Sequence, residues 1–106
     1  MNTVDIPRTA AALSDAWCSV LLGQVGRAGV KVLRMDGRPL EPEVHDTAEA
    51  LLVVDGELRL VVDGSEVEVR AGEMCTVEAG VEHAVRPGST GTLVIIEHVA
   101  PTAWVY

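Results

Sequence analysis

Two histidines and a glutamate have the types and spacing that metal chemistry requires. Glu49 follows His45 by four residues, and His83 lies much further along the chain. Imidazole nitrogens and carboxylate oxygens are the ligands with which proteins hold iron, manganese, nickel or zinc. A single histidine on a strand is more often a hydrogen-bonded structural residue, so both interpretations stand at this point. The outcome depends on whether the fold brings the three side chains together.

The elements that must position these residues are short strands. Val and Leu dominate the apolar composition and Phe is absent, which favours pleated sheet. Leu58, Leu60 and Val62 alternate with polar residues, as on a strand with one buried face. Three Asp-Gly pairs predict hairpin turns, because both turn positions favour positive φ: Asp36-Gly37, Asp55-Gly56 and Asp63-Gly64. About nine short strands at regular spacing indicate an antiparallel sandwich or a closed barrel, where inward side chains of distant strands converge.

One helix and one glycine-rich connection precede most of the strands. Residues 8–16, RTAAALSDA, favour a short helix, and Pro7 suits its start. The GxxGxxG run from Gly23 to Gly29 fits neither phosphate-binding pattern, so we interpret it as a hairpin connection. We expect a single domain over residues 1–106, with an N-terminal extension over about 1–17 and a barrel over about 18–100.

Charge and cysteine content exclude several function classes. The net charge of -8 repels phosphate backbones and anionic lipid surfaces, and few aromatic residues are present to stack on bases. We therefore predict neither a nucleic-acid partner nor a membrane partner. No apolar run approaches the roughly 18 residues that span a bilayer, and no signal peptide is evident. Cys18 and Cys75 do not form a CxxC motif, which favours a cytoplasmic protein with free thiols.

Two segments resemble the paired motifs of the cupin superfamily. Residues 43–56, EVHDTAEALLVVDG, are similar to the first motif, G-x5-H-x-H-x3,4-E-x6-G. Residues 72–87 are similar to the second, G-x5-P-x-G-x2-H-x3-N. The matching positions are Gly37, His45, Glu49 and Gly56 in the first motif, and Gly72, Gly80 and His83 in the second. With flanking strands, the resemblance covers about residues 18–100. It implies an all-β, antiparallel double-stranded β-helix (jelly-roll) barrel, here with a short N-terminal helix.

The resemblance also implies a metal site of His45, Glu49 and His83, with Glu43 in the position of the family's first histidine. Glu78 and Pro87 also depart from the motif, but on its loop and rim. Glu43 has three interpretations. It binds the ion, or it leaves His45, Glu49 and His83 as a facial triad, or it marks a site that no longer holds metal. The ion expected is divalent Fe, Mn, Ni or Zn.

Fold does not decide function in a superfamily that contains enzymes, storage proteins and sensors. One hypothesis is a small cupin that binds a divalent metal ion and a small organic ligand inside the barrel. The alternative is a metal-dependent enzyme of dioxygenase or isomerase type, acting on a small organic acid or sugar derivative. The resemblance also implies a homodimer, with the N-terminal segment and Trp104 to Tyr106 as candidate interface pieces.

Overall fold

The structure, a computed structural model, describes residues 3–99, which form one helix and eight strands. The eight strands compare with about nine predicted. The elements are α1 (Ile6–Ala11), β1 (Val20–Val25), β2 (Ala28–Asp36), β3 (Leu40–Glu43), β4 (Glu49–Val62), β5 (Ser65–Arg70), β6 (Met74–Val77), β7 (His83–Val85) and β8 (Thr90–His98).

All strand pairings in this part of the chain are antiparallel, and they form two groups that share β4. The first group, called the first sheet, has the order β1-β2-β8-β4-β6 and uses the N-terminal part of β4. The second sheet has the order β5-β4-β7-β3 and uses the C-terminal part. A core cluster joins their inner faces, with Leu33 and Leu93 from the first sheet and Leu58 and Leu60 from the second. The fold is therefore the predicted jelly roll, although the hydrogen-bonded ladder stays open among residues 3–99.

Strand β4 crosses between the sheets where the sequence predicted a hairpin at Asp55-Gly56, and that prediction was wrong. The register against β8 shifts by one residue between Val53 and Asp55. Before the shift the side chains that point into the core are those of odd-numbered residues, such as Val53. After it they are those of even-numbered residues, such as Leu58. Gly56 has φ +79° and lies against the backbone of Thr90, so a side chain there would clash. This dipeptide forms a bulge at which one strand passes from one sheet to the other.

The other two Asp-Gly pairs also differ from each other. Asp63 and Gly64 have φ 49° and 80° and join β4 to β5, with Val62 paired to Ser65, so the predicted two-residue hairpin is confirmed. Asp36-Gly37 ends β2, but the next strand, β3, pairs with β7 and not with β2. The predicted hairpin at this pair was therefore wrong, and the segment connects the two sheets.

The N-terminal helix is present but shorter than predicted, and it begins earlier. It spans Ile6–Ala11 instead of residues 8–16. Asp5 caps it by accepting a hydrogen bond from the backbone N–H of Arg8. Residues 12–17 turn away from the helix axis, and the Arg34 guanidinium donates to the carbonyls of Ala10 and Leu13. The helix end is thus fixed by a strand residue that propensity alone does not reveal.

The first sheet is apolar on its outer face as well as its inner one. Val32 and Val94 are buried there with Ala10 of α1. Leu22, Val30, Leu52, Val54 and Ile96 are half-buried around them. Val20 pairs with Val32, and Met74 pairs with Leu52, so both belong to this face, where they are exposed. The nine side chains that belong to the strands, without Ala10, are called the outer face below.

The two cysteines are free thiols, Cys18 exposed and Cys75 half-buried against the core, where burial raises the pKa of the Cys75 thiol. Among the helices of the described region, none has the length and apolar character needed to cross a bilayer. Trp104 and Tyr106, predicted as interface pieces, lie outside the described residues.

Candidate metal centre

Glu43, His45 and His83 come together at one end of the jelly roll. One ligand atom from each lies within 4.8 Å of the others. Glu43 Oε2 is 3.2 Å from His45 Nε2, and the centroids of the two imidazole rings are 5.1 Å apart. The group therefore offers two nitrogens and one oxygen to a single point.

The strands and one loop contact account for this convergence. Glu43 ends β3 and pairs directly with His83, the first residue of β7. The backbone N–H of Gly80 donates to the His45 carbonyl at 2.8 Å, which ties together the loops that carry the two motifs. Gly80 has φ +79°, a conformation that favours glycine, so its place in the motif has a backbone cause.

The ring of His83 is oriented by its own backbone. Nδ1 lies 3.1 Å from the Val81 carbonyl oxygen, and only a protonated Nδ1 can bond to a carbonyl. A neutral imidazole held in this way presents a lone pair at Nε2, which is how metal-binding histidines are usually fixed. The His83 side chain is only 8% exposed, whereas the His45 side chain is 40% exposed. The ion would therefore have one buried histidine ligand and one at the cavity mouth.

Glu49 lies against this buried histidine. Its Oε1 is 3.1 Å from His83 Nε2, and its side chain is 10% exposed. Two lone pairs at that distance repel, so the contact needs either a proton between the atoms or a cation bound by both. Burial raises the pKa of the Glu49 carboxyl, and nearby Glu97 and Glu43 raise it further, while His45 and His83 lower it.

Glu97 and Lys31 extend the polar cluster on neighbouring strands. Glu97 pairs directly with Glu49 across β8 and β4, and its side chain also lines the cavity. Lys31 Nζ is 3.0 Å from Glu97 Oε1, and both side chains are about three-quarters covered. The lysine thus balances one of the three carboxylates gathered at this end.

The metal-ligand group opens onto a cavity of about 220 Å³ inside the jelly roll. Such a space is smaller than the pockets of drug-sized ligands, which begin near roughly 300 Å³. Its wall is mostly aliphatic and combines residues of both sheets. The lining residues are Trp17, Ser19, Leu33, Leu40, Leu51, Leu60, Val85, Leu93 and Ile95, with Glu43, His45, Glu49, His83 and Glu97 at the polar end.

All four residues predicted for the site therefore face the same cavity. The structure groups Glu43 with the two histidines, and it places Glu49 in contact with His83, outside that three-ligand group. Sequence reasoning missed Glu97, Lys31 and Trp17. Glu97 could have been found, because it shares strand parity with inward Leu93 and Ile95.

The donor set fits a divalent transition metal. Two imidazoles and one or two carboxylates suit Fe, Mn, Ni and Zn, and neither thiol lines the cavity with them. The separation of 3.2 Å between Glu43 Oε2 and His45 Nε2 is compatible with two ligands that share one ion. A cation would also remove the lone-pair conflict between Glu49 and His83.

Comparison with protein-family models matches residues 32–99 to the cupin domain family. A search of curated proteins finds no match.

Solved structures resemble the chain over most of its length. A cupin-2 domain containing protein from Shewanella frigidimarina is 22% identical, with a TM-score of 0.82, covering 91% of this chain and 94% of that one. The protein NMB1881 from Neisseria meningitidis is 23% identical, with a TM-score of 0.79, covering 92% and 100%. Hydroquinone 1,2-dioxygenase PnpCD, solved in complex with Fe3+, is 16% identical, with a TM-score of 0.77. That alignment covers 88% of this chain and 31% of the dioxygenase chain. At these identities the likeness shows the fold alone.

Proposed function

Because this chain belongs to the cupin family, we propose that it binds a divalent metal ion at Glu43, His45 and His83 and a small organic ligand in the adjoining cavity. The observation that carries the proposal is the convergence of three ligand atoms within 4.8 Å at the polar end of a cavity with an aliphatic wall. A bound ion would supply a Lewis-acidic point to which a ligand head group can attach.

The chain's own residues have distinct parts in this proposal. His83 is oriented by the Val81 carbonyl and supplies Nε2, while His45 supplies Nε2 from the more exposed side. Glu43 adds a negative charge where the family has a neutral imidazole, which favours Fe, Mn or Zn over softer ions. The aliphatic wall excludes water from the ligand body and thereby strengthens the interactions at the polar end.

The test is elemental analysis of the protein after dialysis against Fe, Mn, Ni and Zn separately. We expect one equivalent of at least one metal in the wild type. His45→Ala and Glu43→Ala should each weaken metal binding by at least about tenfold. Changes to residues that only contact a ligand already cost roughly 10- to 100-fold in metal affinity, and loss of a ligand itself should cost at least as much.

Matched controls come from the same chain. His98→Ala and Glu41→Ala alter exposed residues of the same types on β8 and β3, and both should bind metal like the wild type. Absence of stoichiometric metal under all four conditions would refute the proposal. Unchanged affinity in Glu43→Ala would remove Glu43 from the ligand set and leave His45, Glu49 and His83.

An enzymatic role is the second candidate, and the position of Glu49 favours it. Its carboxyl lies against His83 but outside the three-ligand group, so it is available to hold or move a proton beside the bound ligand. The reaction classes are those of a dioxygenase or an isomerase on a small organic acid or sugar derivative. Oxygen uptake by Fe-loaded protein, and proton exchange followed by NMR, would detect them. Turnover that survives in Glu49→Gln would contradict this role for Glu49.

We also propose a homodimer formed through the outer face, and a cytoplasmic location. Apart from the buried Val32 and Val94, the outer face has seven apolar side chains that are half-buried or exposed, which supports pairing with a second copy that presents the same surface. Two free thiols support a reducing compartment. The absence of a nucleic-acid or membrane partner stays a prediction from the net charge of -8.

A further inference from the structure

Trp17 occupies an unusual place at the cavity. It is the only aromatic residue other than histidine among residues 3–99, and it lines the cavity together with the metal-ligand group. Its side chain is half-buried and packs against the core cluster between the sheets. Every other apolar side chain on the cavity wall is aliphatic.

The backbone at Trp17 is strained. Its φ is 64°, in the left-handed region that is unfavourable for a residue with a Cβ. The backbone N–H donates to the Arg34 carbonyl at 2.9 Å, which fixes this conformation. A glycine would adopt it without cost, so the large side chain is retained here against the local backbone preference. Such outliers are common where a residue is held in place for a ligand.

A chain of hydrogen bonds fixes the orientation of the indole. Trp17 Nε1 donates to Asp36 Oδ1 at 2.7 Å. Asp36 in turn accepts from the Arg38 backbone at 3.1 Å and from Arg38 Nε at 2.7 Å. Partial desolvation of Asp36 opposes these contacts, but the hydrogen bonds prevail and lower the pKa of its carboxyl, so it remains a charged acceptor. The only donor of the indole is thus satisfied outside the cavity, which leaves its π-system as the part that a ligand can contact.

We propose that Trp17 selects ligands in which a planar, unsaturated ring carries a metal-chelating head group. The head group binds the ion at Glu43, His45 and His83, and the ring lies between the indole and the aliphatic wall. This assignment rests on the proposed metal site. The small cavity limits the ligand body to about one ring. Aromatic pairs contribute beyond their buried area, so planarity itself should raise affinity by about threefold to tenfold.

Three hydroxamates with one chelating group test the selection. Benzohydroxamate has a planar ring, cyclohexanecarbohydroxamate has a saturated ring of similar size, and acetohydroxamate has a methyl group. Zn-loaded protein is titrated with each by calorimetry, after its zinc content has been measured. We expect the planar ring to bind about threefold to tenfold more tightly than the saturated ring. Trp17→Leu should abolish that ratio, and Trp17→Phe should retain part of it.

A second readout does not depend on the stability of the Trp17 variants. In Trp104→Phe protein, where Trp17 is the remaining tryptophan, benzohydroxamate should quench its fluorescence more strongly than the saturated analogue. Trp104→Phe should also keep the wild-type affinity ratio. Zinc binding without a preference for the planar ring would overturn the assignment and leave the metal site intact. A ratio that survives in Trp17→Leu would overturn it too, and failure to bind zinc or any other of the proposed metals would overturn both.

Discussion

Glu49 and His83 meet in a contact that either a proton or a metal ion can satisfy. The carboxyl and the imidazole are both buried, with 3.1 Å between Oε1 and Nε2. In the metal-free protein a proton on either atom turns this contact into a hydrogen bond, because the Nδ1 atom of His83 already donates to a carbonyl. Metal and proton therefore compete for the Nε2 atom of His83, which is the usual coupling between metal affinity and pH.

This contact predicts how the stability of the metal-free protein depends on pH. Burial raises the pKa of Glu49 above its ordinary value of 4.5, so between the two values the folded state binds more protons than the unfolded state. The free energy of unfolding should therefore fall as pH rises from 4.5 through the raised pKa. Below pH 4.5 the contribution of the Glu49 proton to the free energy of unfolding is fully present.

Urea titrations at several pH values measure this contribution of Glu49 as the difference in the free energy of unfolding between wild type and Glu49→Gln. The amide of the variant imitates the protonated acid. Glu78→Gln, an exposed change of the same type, should follow the wild-type profile. A difference between wild type and Glu49→Gln that does not vary with pH would contradict the prediction.

The sequence was informative about single residues only where a motif fixed their offsets. His45, Glu49 and His83 could be proposed from those offsets, and Glu43 from the position it occupies among them. Lys31 and Glu97 could not be paired in advance, because their 3.0 Å contact depends on the register between β2 and β8. The orientation of Trp17 depends on Asp36, which is close to it only after the chain has folded.

Among the elements, β4 shows why equal dipeptides can have different outcomes. Asp63-Gly64 makes a two-residue turn, whereas Asp55-Gly56 makes a bulge within a continuous strand. Both glycines have positive φ, but of the two aspartates only Asp63 does, so only Asp63-Gly64 has the backbone of a two-residue turn. The difference comes from the partner strand: β8 continues alongside Gly56 as far as Thr90, and no such neighbour lies near Gly64. Strand pairing over long range therefore decides what the local preference cannot.

The two glycines form a matched pair for a stability prediction. Gly64→Ala should cost about 1–2 kcal/mol, because open space surrounds it and only the backbone conformation is strained. Gly56→Ala should cost at least about 2 kcal/mol more, because its Cβ would collide with the Thr90 backbone. Urea unfolding at constant pH measures both free energies. Equal losses would show that the crossing can move to accept a side chain.

At the scale of the whole molecule, the outer face and the net charge act in opposite directions on self-association. A charge of -8 makes two copies repel at long range. The half-buried and exposed members of the outer face are apolar, so their burial between two copies would offset that repulsion. The sequence indicated this face only through continuous apolar runs such as Leu51 to Val54. Such a run is compatible with burial on either side of the sheet, so it did not identify the outer face.

We expect light scattering after size exclusion to give twice the monomer mass for the wild type. The double variant Val20→Glu, Met74→Glu should be monomeric, since it places charges at exposed positions of the outer face without disturbing the core. Val44→Glu, at an exposed residue of the β3–β4 connection, should remain dimeric. A monomeric wild type, or a dimeric double variant, would refute pairing through this face.

The crossing of β4 has a consequence for how the molecule unfolds. Because a single strand supplies the central pairings of both sheets, neither sheet can open completely without breaking the ladder of the other. Unfolding should then be all-or-none. The backbone amide hydrogens of Leu51 and Leu60 should exchange slowly with solvent, and both should report the same free energy of opening. His83 lies on β7, which pairs with β4, Glu43 lies on β3, which pairs with β7, and His45 lies in the connection that leads into β4. The ligand geometry would therefore be lost in the same step that exposes the core.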